Sequence, residues 1–256
     1  MERKIIRTLA TLGIALACSA PAFAGAEQTN GMNIQERVFN DFPGTSLTTT
    51  NNFPSVVQFA ESGYTGAGFA NRHDAMASTD GGATEAQFDL TDGFSISANV
   101  TLEVGSVAPR KEAGIRVNSG ISGDALFLIN SDAGEIVAFG GGAPFYIFSG
   151  SYTPGDTIFM QMNYTPSGTF GVPGKVEYVI ERGAGLESSG LLDWANLEGG
   201  PLQYNVGFYG QFSPDGQNTA EFATATFADI RIVPEPAAAS LLALGALALT
   251  RRRVIA

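Results

Sequence analysis

Between Phe94 and Val104 the chain alternates without a break. Phe94, Ile96, Ala98, Val100, Leu102 and Val104 fall on one side, and Ser95, Ser97, Asn99, Thr101 and Glu103 on the other. A period of two sends successive side chains to opposite faces, so the stretch predicts a strand with one face on a core and the other in water. Shorter runs follow at Ala113 to Asn118, Ala125 to Asn130, Glu135 to Phe139, Phe145 to Phe148, Thr157 to Tyr164, Lys175 to Glu181, Gln203 to Phe212 and Ala220 to Val233. Val56 to Phe59 and Thr84 to Leu90 precede it. Turn residues such as Ser119-Gly120, Pro154-Gly155 and Pro173-Gly174 separate nearly all of them. One short helix is predicted, Ser189 to Leu197, with Trp194 on it as core. This rhythm predicts an all-β fold, an antiparallel two-sheet β-sandwich over residues 37–232. Residues 25–36 read as a flexible leader, and the Gly-rich stretch Glu61 to Gly82 as a long surface loop.

Several segments together resemble the concanavalin-like jelly roll of lectins, laminin-G-type modules and some glucanases. They are the long alternating strand ending at Val104, Ala113-Gly114-Ile115-Arg116-Val117 followed by Asp124 to Asn130, and Tyr152 to Asp156 before Ile158 to Tyr164. Lys175 to Ile180, Asn205 to Phe208 and Ala220 to Ile232 complete the set. The likeness lies in strand rhythm and turn placement.

The two ends follow another logic. Residues 1–24 read as a secretory signal: Arg3, Lys4 and Arg7 are the positive region, Thr8 to Cys18 the apolar one, and Ala22-Phe23-Ala24 a small-x-small cleavage site at Ala22 and Ala24. The lone Cys18 would leave with it, so no disulfide is expected in the mature chain. At the other end, Val233-Pro234-Glu235-Pro236 precedes an apolar run from Ala237 to Thr250 and the cluster Arg251, Arg252, Arg253. The prolines predict a rigid turn. The run predicts a hydrophobic helix of ~21 Å, short of a ~30 Å hydrocarbon core, and the arginines resist translocation. This tail, residues 233–256, resembles the PEP-CTERM sorting signal. The resemblance implies recognition by an exosortase-type sorting peptidase of a Gram-negative bacterium, a transient inner-membrane intermediate, and a final place on the outer surface or in the exopolysaccharide matrix.

Charge narrows the partners. Residues 25–233 hold 8 Lys and Arg against 23 Asp and Glu, a net of −15, so nucleic acid is excluded as a partner. Oxygen-rich loops at Asn51, Asn52, Asp80, Asp132 and Asp215 would suit Ca2+, without an EF-hand pattern; no other cofactor is implied, and a single histidine cannot make a zinc site.

The candidate chemistry is sparse. A glycosidase needs two carboxylates flanking the scissile bond, and the Glu-x-Asp-x-x-Glu array of laminarinase-type enzymes is absent. Glu85 and Asp89 come nearest and read as solvated strand-end charges. No Gly-x-Ser-x-Gly elbow is present. His73 and Asp74 are adjacent, so their side chains point apart on an extended chain. The sequence therefore names no catalytic residue and predicts a non-catalytic protein that binds glycan in an extracellular polysaccharide matrix. A glycan hydrolase or lyase and a purely structural surface protein are the alternatives. Glycan contacts are expected from Arg116, Gln161, Asn163 and Tyr209 on strands, and from Tyr64, Arg72 and His73 in the loop before them.

Overall fold

The computed structural model describes Thr29 to Glu235, except residues 90–91, 120–122, 168, 170–171, 184, 195–202, 217 and 219. The signal segment, most of the C-terminal tail and its predicted helix lie outside the described residues. In chain order the strands are β1 (Gly31–Asn40), β2 (Ser46–Asn52), β3 (Val56–Ser62), β4 (Asn71–Ser78), β5 (Phe88–Asp89), β6 (Gly93–Val104), β7 (Lys111–Ser119) and β8 (Gly123–Asn130). They continue with β9 (Ile136–Phe139), β10 (Tyr146–Ile147), β11 (Thr157–Thr165), β12 (Gly174–Arg182), β13 (Gly185–Ser188), β14 (Leu192–Trp194), β15 (Gln203–Phe212) and β16 (Phe222–Glu235).

Two antiparallel sheets face each other. Sheet A runs β1-β4-β15-β7-β8-β9-β10, with β5 beside β15, and sheet B runs β13-β12-β11-β6-β16-β3-β2, with β14 beside β12. The alternation read in Phe94 to Val104 is what makes β6 a central strand: Phe94, Ile96, Ala98, Val100 and Leu102 are fully buried. Rings meet across the gap, Phe208 on Phe227 at 4.9 Å and Phe127 on Tyr178 at 5.1 Å between centroids, the interdigitation that closes a sandwich core. The predicted two-sheet sandwich of jelly-roll type is therefore the fold observed.

Three local readings are corrected. The predicted loop Glu61 to Gly82 contains β4, every residue of which is buried; its polar sequence disguises a strand whose two faces lie on two different polar clusters. The predicted helix at Ser189 to Leu197 holds the strand β14 instead, with Trp194 buried against Tyr164 at 5.7 Å. The predicted turn at the sorting motif is strand as well: Val233, Pro234 and Glu235 pair in register with Ser95, Phe94 and Gly93 of β6. Proline fits there because Arg231 to Glu235 pair with β6 alone, while β3 pairs β16 only as far as Ala228. Likewise β1 begins at Gly31, ahead of the predicted domain start.

Two glycines mark the outer face of sheet A. Register sets Tyr209 of β15 against Gly114 of β7, and Met76 of β4 against Gly207 of β15. A Cβ on Gly114 would stand 2.1 Å from the Phe127 carbonyl oxygen, and one on Gly207 2.3 Å from that of Ala75. Neighbouring backbone thus occupies the space where side chains would point, so only glycine fits at these two positions.

Candidate functional site

Three strands of sheet A bring charged side chains together on that face. Arg72 and Asp74 come from β4, Arg116 from β7 and Asp124 from β8. Residues two apart share a strand face, which puts Arg72 and Asp74 on the outside while His73 between them faces inward. Arg72 Nε donates to Asp74 Oδ1 at 3.0 Å and its Nη1 to Asp124 Oδ2 at 2.8 Å. Arg116 Nε donates to Asp124 Oδ1 at 3.0 Å, and its Nη1 stands 3.0 Å from Asp74 Oδ2 as a charge contact without hydrogen-bond geometry. The side chain of Asp74 is fully buried, whereas Asp124 is 26% exposed and forms the outer member. Arg72 Nη2 is buried and has no partner among the described residues.

The protonation states follow from burial against charge. Burial raises the Asp74 carboxyl and outweighs the two guanidiniums that oppose it. For Asp124 burial acts the same way but Arg116 and Arg72 win, holding it below its ordinary value. Burial disfavours charge on Arg72, yet Asp74 and Asp124 keep it firmly protonated.

Beneath this square lies Tyr209. The Arg72 guanidinium sits over its ring, and Leu128 and Val137 pack on it as a small apolar cluster separate from the main core. Its hydroxyl donates to Glu112 Oε2 at 3.0 Å, and Arg110 in turn holds the other oxygen of Glu112, at 2.5 Å. Burial, the Glu112 charge and that hydrogen bond push the Tyr209 phenol well above its ordinary value of 10.0. A phenol so placed is a proton donor and not a phenolate.

A second polar cluster lies inside the sandwich. His73, stacked on Phe59, has Nε2 3.1 Å from Glu61 Oε2. Glu61 also accepts from Tyr64 at 3.0 Å and from Asn71 at 2.7 Å, while Arg37 Nη1 stands 3.1 Å away. Arg37 reaches inward because it sits in a bulge of β1 with a left-handed backbone, φ 56°. His73, Glu61, Tyr64 and Asn71 are closed to solvent, and Arg37 reaches them from a half-buried position at the edge.

The predicted glycan contacts therefore divide three ways. Arg72, Arg116 and Tyr209 are brought together on the outer face of sheet A. Tyr64 and His73 lie in the interior. Gln161 and Asn163 point outward from β11 on sheet B, at the opposite side of the sandwich, and bond each other at 2.7 Å. Glu85 accepts from Gln35 beside β1. No group of three or more His, Cys, Asp or Glu suited to a metal ion occurs among the described residues, and the carboxylate of Asp80 is taken by Ser78 and Thr84. Sequence reasoning missed Asp124, Glu112 and Arg110. The signal for Asp124 was present: Arg116 and Asp124 flank the Ser119-Gly120 turn, where opposite charges on a hairpin meet diagonally.

No protein-family model and no curated protein matches the chain. Solved structures do. The alginate lyase from Corynebacterium sp. is similar at 12% identity and TM-score 0.50, over 80% of this chain and 94% of that one. A marine PL-14 alginate lyase from Aplysia kurodai aligns at 8% identity and TM-score 0.48, over 80% and 100%. The alginate lyase from Klebsiella pneumoniae aligns at 10% and 0.45, over 73% and 84%. At such identities the likeness is one of fold. The Corynebacterium structure nevertheless corrects the expectation of a non-catalytic, non-enzymatic glycan-binding protein, because the protein that shares this sandwich is an alginate lyase. The expectation rested on a missing carboxylate array, which is the requirement of hydrolysis; elimination needs a different set of groups.

Proposed function

We propose that the chain is a polysaccharide lyase that cleaves a uronate-containing polymer at the outer face of sheet A. The observation that carries the reading is that Arg72, joined to Arg116 through Asp74 and Asp124, lies directly over the ring of Tyr209, whose hydroxyl bonds Glu112. Elimination from a uronate removes the proton α to the carboxylate, forms a carbon–carbon double bond and expels the glycosidic oxygen from the β carbon. The developing charge spreads onto the sugar carboxylate, so guanidiniums there stabilise the transition state. Arg72 Nη2 is the unpaired donor for this task, and the contacts now made to Asp124 are those a substrate carboxylate would take over. Glu112 accepts the carbon-bound proton while the Tyr209 hydroxyl gives its own to the departing oxygen. The Glu112 proton then crosses to Tyr209, and both groups are restored. That the Corynebacterium structure is an alginate lyase supports an acidic polysaccharide as substrate.

The test is to mix the full-length protein with alginate, pectate and a neutral glucan and follow ultraviolet absorbance from the conjugated double bond. A rise with a uronate polymer and none with the glucan supports the reading; none with any polymer overturns it.

The address is proposed separately. The signal segment, the Val233-Pro234-Glu235-Pro236 motif, the short apolar run and Arg251 to Arg253 support export, sorting by an exosortase-type peptidase and a place at the cell surface. Mass spectrometry of the mature chain's two ends tests it.

A further inference from the structure

The outer face of sheet A does not end at its charged centre. Phe39 of β1 is in register with Arg72 of β4 and so shares its face. Phe69 stacks on Phe39, centroids 6.4 Å apart and planes at 27°, yet remains 66% exposed. The backbone that carries this open ring is fixed from behind. Asp41 Oδ2 accepts from the amides of both Phe69 (2.9 Å) and Ala70 (3.2 Å). Gly68 approaches so closely that a Cβ on it would stand 2.6 Å from Asp41 Cβ and 3.1 Å from the buried ring of Phe42. The loop is therefore built to hold Phe69 out at the β1 edge.

We propose that the Phe39–Phe69 pair is a sugar-stacking subsite, taking the C–H face of the pyranose ring next to the one held at Arg72. This rests on the polysaccharide reading of the same face and names how a second unit of the polymer is bound. Two rings make too small an apolar patch for a protein interface, which buries about 800 Å² on each partner. They match the flat, weakly polar face of a sugar. Seven strands at about 4.8 Å spacing make sheet A about 29 Å wide, so a polymer lying across the strands meets the aromatic plate and the charged centre in succession. At the far edge Ile147, in register with Val137, is exposed as well.

The test is affinity electrophoresis of the full-length protein through gels containing alginate, pectate or a neutral glucan, with Phe69→Ala and Phe69→Tyr alongside. The wild type should be retarded by at least one polymer. Phe69→Ala should bind up to roughly tenfold more weakly, Phe69→Tyr should bind as the wild type does, and all three should melt together. Equal retardation of wild type and Phe69→Ala, equal loss in Phe69→Ala and Phe69→Tyr, or no retardation of the wild type overturns the subsite. Cleavage assayed in parallel separates the two readings. Cleavage with unchanged Phe69→Ala retardation removes the subsite alone; weakened retardation without cleavage of any polymer removes the lyase alone.

Discussion

The guanidinium carbon of Arg72 lies 5.2 Å from the centre of the Tyr209 ring. Cation and phenol thus form one unit, in which the cation faces Asp124 at the mouth and the phenol bonds Glu112 beneath. Tyr209→Phe keeps the ring under Arg72 and removes only the donor. Cleavage should fall by about 100-fold or more, the contribution of a positioned acid, while the melting temperature moves little; steady-state kinetics beside a thermal melt checks both.

Asp124 holds two guanidiniums and is the exposed member of the square. Asp124→Ala should release both for substrate and lower KM for a uronate polymer, by an amount set by charged hydrogen bonds worth about 1.5–3 kcal/mol each. The KM measured at low and high salt should converge, because screening weakens the freed charges.

Lys111 and Glu221 form a buried pair, 2.8 Å apart with both side chains at zero exposure. Lys111→Met alone strands a buried carboxylate and should cost about 3–5 kcal/mol, whereas replacing both partners with apolar residues should be near neutral. Denaturant unfolding of the two single variants and the double variant gives the comparison.

Glu61 governs acid stability of the interior. Burial would raise its carboxyl, but hydrogen bonds from His73, Thr45 and Asn71 outweigh burial and hold it below 4.5. A carboxylate with a depressed folded value contributes stability above its unfolded value and loses it as pH falls through the folded one. The wild type should therefore lose stability on acidification below about pH 4.5, and Glu61→Gln should show a shallower dependence in melts across that range.

Most of the architecture was legible because it rests on alternation. The strand from Phe94 to Val104, and most of those after it, were placed by side-chain period and turn residues alone; the short β13 and β14 were not. The stretch Asn71 to Ser78 was not, because its inner face mixes Asn71 and His73 with only the small Ala75 and Ala77, and its outer face holds Arg72 and Asp74, which leaves no strong apolar alternation to read. Its neighbours decide its burial, and they come from β1 and β15, distant in sequence. The site divides the same way. Arg72, Arg116 and Tyr209 could be named as candidates, but their union depends on strand order, which no local pattern encodes. Glu112 was hidden beside Lys111: one faces Tyr209 on the outer side of sheet A and the other the buried Glu221.

The central claim is elimination at the outer face of sheet A, and mass spectrometry of the fragments released from a uronate polymer tests it most directly. The account predicts oligosaccharides whose new non-reducing end is unsaturated, lighter by one water than the hydrolytic product, and their disappearance in Tyr209→Phe. Saturated fragments, or an intact polymer bound without cleavage, would contradict it.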